Sequence, residues 1–119
     1  MDKRTLKSYR QLLEGRLAVL LDTSVETAGR LAAERQVLPD PADQAAALSS
    51  EAFAARLRDR DRRLIRKIEE ALRRIDAGEY GDCEACGEPI SEARLKARPF
   101  TTLCIECKEE AERLERSAG

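Results

Sequence analysis

Apolar side chains fall at Leu6, Tyr9, Leu13, Leu17 and Leu20, and again at Ala28 and Leu31, in steps of three and four interrupted only around Ser24. That rhythm keeps one face of an α-helix apolar, and it predicts a helix from about residue 4 to about residue 36. Leu38, Pro39, Asp40 and Pro41 follow. A proline inside a helix removes a backbone hydrogen bond and clashes with the preceding turn, so two prolines one residue apart oblige the chain to turn. A second periodic stretch carries Phe53, Leu57, Leu64, Ile68, Leu72 and Ile75 and stops at Ala77-Gly78, with Gly78 suited to the left-handed cap. Its start is open between Pro41, with Asp40 as N-cap, and a point near Ser49 or Ser50, because Ala45 to Ala47 favours helix without anchoring bulk.

Two helices of similar length, each with one narrow apolar stripe and a short turn between them, pair most simply as an antiparallel coiled-coil hairpin. At 1.5 Å per residue each arm spans roughly 45 to 55 Å, which carries the tip, near residues 38–48, far from whatever follows. After Gly78 the elements shorten. Ser91 is a candidate N-cap for a segment from about Glu92 to Lys96, Arg98-Pro99 ends it, and a last helix is expected from Cys104 to about Arg116. The expected class is therefore mainly α: a long coiled-coil hairpin over residues 1–77, then a small cysteine module with a C-terminal helix over residues 78–119.

Composition supports that division. Of the 119 residues 38% are charged and 3% aromatic, so the rings available to any core are Tyr9, Phe53, Tyr80 and Phe100. Long helices sharing a seam suit such a chain better than one large globule. A formal net charge of −1 gives no global field toward nucleic acid or membrane. The longest apolar run, Leu17 to Leu21, is too short to cross a bilayer, and the polar start Asp2-Lys3-Arg4 has no signal-like apolar stretch after it. A cytoplasmic protein is expected, one that satisfies its own seam as a monomer.

Four cysteines stand as Cys83-x-x-Cys86, then 17 residues, then Cys104-x-x-Cys107. In a reducing compartment this spacing points to one tetrahedral zinc ion rather than to disulfides. Gly87 allows the tight turn that aims backbone amides at the first two sulfurs, and the second pair sits where a helix begins, which favours thiolate. Sulfur fills all four positions and the chain contains no histidine, so no coordination site remains for water or substrate and the zinc is expected to be structural. The nearby cations Arg94, Lys96, Arg98 and Lys108 are candidates to offset the charge of the centre. A redox dithiol is the alternative.

Two polar features admit two interpretations each. Asp40-Pro41-Ala42-Asp43 is either a helix start, with Asp40 as cap and Asp43 favourably placed in the first turn, or a pair of carboxylates exposed at the end of a probe. Residues 56–67 hold seven basic side chains against Asp59 and Asp61. This is either a solvated helix flank or a surface for an anion or a protein, and Lys67, Arg98 and Lys108 together would suit a phosphorylated ligand. A zinc-ribbon module that binds nucleic acid through the 56–67 face is the competing functional class. The glycines fit neither dinucleotide nor P-loop spacing, and no nucleophile motif is present, so the chain is not expected to be an enzyme.

The segments RDRDRRLIRKI at 58–68, GDCEACG at 81–87, RLKARP at 94–99 and LCIECK at 103–108 resemble the DksA/TraR zinc-finger family, and DPADQA at 40–45 is similar to that family's coiled-coil tip. The resemblance implies a regulator that binds bacterial RNA polymerase, inserts its hairpin through the secondary channel and alters promoter complexes together with ppGpp, without binding DNA directly. It implies that Asp40, Asp43 and Ala45 act at the tip, and that Lys67, Arg98 and Lys108, with Leu64 and Arg62, contact ppGpp and polymerase. Against the family pattern, the chain starts directly at the first helix, carries two additional residues between Asp43 and Phe53, and has Gln44 where arginine is common. The tip is expected to differ in shape.

Overall fold

The computed structural model of the chain describes residues 1–35 and 40–118, with the helical backbone alone over 23–35. It holds four helices: α1 (Lys3–Arg35), α2 (Pro41–Asp76), α3 (Glu92–Ala97) and α4 (Ile105–Ala118). Among the described residues there are no strands, only one isolated antiparallel bridge between Asp82 and Pro89. No helix among them is long and apolar enough to cross a membrane. The expected turn at Leu38-Pro39 and the stripe positions Ala28 and Leu31 lie outside the residues whose side chains are described.

Local chemistry explains the starts of α1, α2 and α3 and the end of α2. Asp2 caps α1 by accepting the Thr5 N–H at 2.7 Å. Asp40 caps α2 by accepting the Ala42 N–H at 2.9 Å, which settles the start of that helix at Pro41, the earlier of the two expected positions. At the other end Gly78 is left-handed, with φ 76°. Its N–H reaches the Ile75 carbonyl at 3.2 Å while the Glu79 N–H reaches that of Arg74 at 2.8 Å. This is the paired closure that a helix makes on a left-handed residue. Ser91 caps α3 by accepting the Arg94 N–H at 3.2 Å, as its place in the sequence leads one to expect.

The chain forms two compact units, residues 1–14 with 67–119, and residues 15–66. In the first, the start of α1 lies antiparallel to the end of α2: Arg10 pairs with Asp76, and the Tyr9 ring meets Tyr80 with centroids 5.5 Å apart. Leu13 and Ile68 are fully buried there, with Tyr9, Ala71, Tyr80, Ile90, Leu95 and Pro99 around them. The buried Tyr80 hydroxyl donates to the Pro99 carbonyl at 2.7 Å. Among the described residues the deepest burial thus lies in the unit that holds the cysteines.

Among its described residues the second unit has a thin seam. Leu17 and Leu20 of α1 are half-buried, and α2 buries Ala54 with Arg58, Asp61, Leu64 and Ile65 partly covered. This corrects the expected stripe at its N-terminal end. Counting back from Ile68, the covered face runs through Ile65, Asp61, Arg58 and Ala54 in alternating steps of three and four, the spacing that keeps a seam facing its partner. Phe53 and Leu57 fall beside that line and stand 57% and 40% exposed.

Tyr80→Phe tests the buried hydroxyl. It leaves the Pro99 carbonyl without its donor, and the zinc-loaded chain is expected to lose about 1–3 kcal/mol in urea unfolding followed by circular dichroism, with unchanged helix content before the transition.

Candidate metal centre

The first cysteine pair lies on a tight loop closed by its own backbone. The Cys83 N–H donates to the Glu88 carbonyl at 2.8 Å and the Gly87 N–H returns to the Cys83 carbonyl at 2.9 Å. Gly87 is left-handed, φ 78°, a conformation that glycine adopts without steric cost. The second pair opens α4: the Cys104 carbonyl accepts the Lys108 N–H at 3.0 Å, and Cys107 lies in the first turn. Two bonds join the pairs from outside, Glu84 N–H to the Thr102 carbonyl at 2.9 Å and Arg94 Nε to the Leu103 carbonyl at 2.9 Å. Sequence spacing brings each pair together; these bonds bring the pairs to each other.

All four Sγ atoms lie within 4.8 Å of one another. The Cys86 and Cys104 sulfurs are 3.8 Å apart. A tetrahedron built on Zn–S distances of roughly 2.3 Å has edges of about 3.8 Å, the Cys86–Cys104 separation, and the cluster as a whole is compact enough for one ion. The thiol chemistry points the same way. Burial pushes the Cys83 thiol up, but the backbone N–H groups of Cys104, Cys86 and Ala85 together outweigh it and bring it down to about 6. At Cys86 the Glu88 N–H pulls down, yet burial and the Cys83 and Cys104 sulfurs push it above its ordinary value. Cys107 is driven far up by its three sulfur neighbours, Cys104 first. The Cys83 thiolate is easily formed while Cys86 and Cys107 resist, so four thiolates can coexist only around a cation.

Three of the four expected side-chain cations are engaged elsewhere. Arg94 is spent on the Leu103 carbonyl, Lys96 pairs with Glu92 at 3.3 Å and Lys108 with Glu112 at 3.9 Å. Backbone amides near the turns take that part, because they are already aimed by the loop and lose no side-chain freedom. Arg74 is a positioning residue that spacing alone does not reveal. Its guanidinium, at the end of α2, holds the carbonyls of Glu79 and Asp82 and so places the first loop. The only hint in the sequence is a basic residue just ahead of a glycine cap.

The remaining candidates divide between the two units. In the unit of residues 15–66, Asp40 is the α2 cap, Asp43 and Ala45 are exposed in its first turns, Arg62 pairs with Asp59 at 3.3 Å and Leu64 is half-buried. In the other unit, Lys67 lies over the Phe100 ring, 6.0 Å from its centroid, which brings it to the loop that begins at exposed Arg98.

Comparison with known proteins covers nearly the whole chain. The model for the DnaK suppressor protein DksA N-terminal domain matches residues 5–75, and that for the prokaryotic dksA/traR C4-type zinc finger matches residues 78–113. The RNA polymerase-binding transcription factor DksA of Caulobacter vibrioides is 44% identical over 116 residues, covering 98% of this chain and 82% of that protein. The Escherichia coli protein of the same name is 39% identical over 112 residues, covering 94% and 74%. The solved structure of transcription factor DksA2 from Pseudomonas aeruginosa matches with a TM-score of 0.86 at 38% identity, over 98% of this chain and 89% of that one.

Metal removal tests the centre. The purified chain is expected to carry one zinc per molecule, and Cys107→Ser to lower that content. Chelation is expected to speed amide exchange over residues 80–107, more readily as the pH falls and protons compete for the sulfurs.

Proposed function

The chain belongs to the DksA/TraR family of C4-type zinc-finger transcription factors, and from that footing we propose that it binds bacterial RNA polymerase and adjusts the stability of promoter complexes. The observation that carries this is continuous identity, 44% over 116 residues, with a protein named for binding RNA polymerase. The family is one of transcription factors, not enzymes, and the donor set agrees with that. A zinc ion held by Cys83, Cys86, Cys104 and Cys107 has its shell filled by sulfur, so it stabilises a fold and offers no site for a reacting group.

In this proposal the hairpin of residues 1–77 enters the secondary channel and its tip is the effector. Asp40 has a structural duty as well, since its carboxylate holds the Ala42 N–H. Asp43, exposed one turn into α2, is therefore the better candidate to meet polymerase, with Ala45 beside it leaving room for close approach. We assign Lys67, Arg98 and Lys108, and separately Arg62 and Leu64, to contacts with ppGpp and polymerase. Support for Lys67 is its place over Phe100: the ring holds the ammonium by its face without neutralising the charge. A protein acting on bacterial RNA polymerase works in the cytoplasm, and as a monomer it presents one tip to one channel.

Binding of the purified zinc-loaded chain to core RNA polymerase, followed by open-complex lifetime with and without ppGpp, tests the proposal. Asp43→Asn is expected to keep wild-type affinity and zinc content while losing the change in lifetime. A variant indistinguishable from wild type would reduce Asp43 to a helix-start residue.

A further inference from the structure

The residue just ahead of each leading cysteine has its carbonyl held by an arginine. Arg74 of α2 donates to that of Asp82, ahead of Cys83, and Arg94 of α3 donates to that of Leu103, ahead of Cys104. The Leu103 carbonyl has another donor as well: the Thr101 hydroxyl reaches it at 3.1 Å, beside Arg94 Nε at 2.9 Å. A carbonyl oxygen has two lone pairs, and here side chains occupy both. Leu103 lies between the turn closed by the Thr101 N–H on the Arg98 carbonyl and the start of α4 at Ile105, so its peptide is held by these side chains and not by a helix.

The other end of that peptide faces the metal centre. The Cys104 N–H is one of the backbone donors turned to the Cys83 sulfur. Because a peptide unit is planar and trans, fixing the direction of its carbonyl also fixes the direction of its N–H. A cation on the oxygen further polarises the amide and strengthens the bond that its N–H makes. Arg94 is itself held in place: its N–H is capped by Ser91, its side chain is half-buried, and Leu95 beside it is 2% exposed. Cys104 has no comparable anchor in the helix it opens, since α4 buries no residue.

We propose that Arg94 is a positioning residue for the zinc centre, acting through the Leu103–Cys104 peptide and not by facing the sulfurs. Through that one peptide a residue of α3 sets both the approach of Cys104 and a donor to Cys83, one sulfur from each pair. An outer group that is already aimed keeps the ligands oriented, so its loss appears as weaker retention of the ion. The role is independent of any partner of the protein, polymerase included. Lys96, two residues further on, is the contrast: it is exposed, and its ammonium pairs with Glu92 at 3.3 Å.

Transfer of zinc from the loaded full chain to a chromogenic chelator gives the release rate. Arg94→Met is expected to speed release roughly 10–100-fold, Arg94→Lys to speed it less, and Lys96→Met to leave it unchanged. With cobalt(II) in place of zinc, the sulfur-to-metal charge-transfer band is expected to shift in Arg94→Met and to stay in Lys96→Met. Ile68→Val, which loosens the core of the same unit, is expected to lower stability in urea while moving neither the release rate nor the band. Wild-type release and an unshifted band in folded, loaded Arg94→Met overturn the assignment, and so does equal acceleration in Ile68→Val. Should Arg94→Met fail to take up metal, Arg94→Lys is read in its place: release faster than wild type supports the role, and wild-type release overturns it.

Discussion

Four sulfurs within 4.8 Å of one another cannot all be thiolates unless a cation stands among them, and that constraint organises the better-packed half of the molecule. The segment that supplies them has few large apolar groups. Ile90, Leu95 and Pro99 are buried, yet they gain much of their cover from Tyr9, Leu13 and Ile68 on the two long helices within the same unit. Metal and core are therefore mutually dependent: the ion holds the loops in the shape that receives the helix ends, and the helix ends supply the apolar mass the loops lack. Arg74 and Tyr80 are the fasteners, one holding the carbonyls of Glu79 and Asp82, the other closing onto Pro99.

The unit of residues 15–66 is built on the opposite principle. Among its described residues the seam is lined by Ala54, half-buried Leu17, Leu20, Leu64 and Ile65, and the covered parts of Arg58 and Asp61, with Ala54 alone among them buried. A thin seam leaves bulky apolar groups outside it, and Phe53 and Leu57 are the result. For a binding protein that is a useful division: rigidity where the zinc is, exposed contact chemistry on the helices.

Asp40 fulfils the first of the two interpretations that its sequence allows without excluding the second. Its carboxylate caps α2, and the same helix start displays Asp43 and Ala45. The capping bond makes the presentation of those side chains reproducible, so the structural duty of Asp40 is compatible with the effector role proposed for the tip. Lys67 is comparable, since the Phe100 ring fixes its ammonium near the loop that starts at Arg98 without cancelling its charge.

Features governed by neighbours in the chain were legible in the amino-acid sequence itself: the cysteine spacing, the caps at Ser91 and Gly78, and four helices within a residue or two of their ends except the start of α2, which the sequence left open between Pro41 and Ser49 or Ser50. Each depends on backbone geometry over a single turn, which local residue types dictate. The resemblance of the 58–68, 81–87 and 94–108 segments added the family. What the tertiary structure alone decided is which apolar residues face inward on α2, and which groups serve the sulfurs. Periodicity admits both the line through Phe53 and Leu57 and the line through Ala54, Arg58 and Ile65, and only the close approach of another helix selects the one with the smaller side chain. Likewise Arg94, Lys96 and Lys108 turn to Leu103, Glu92 and Glu112, while backbone amides face the Cys83 thiol.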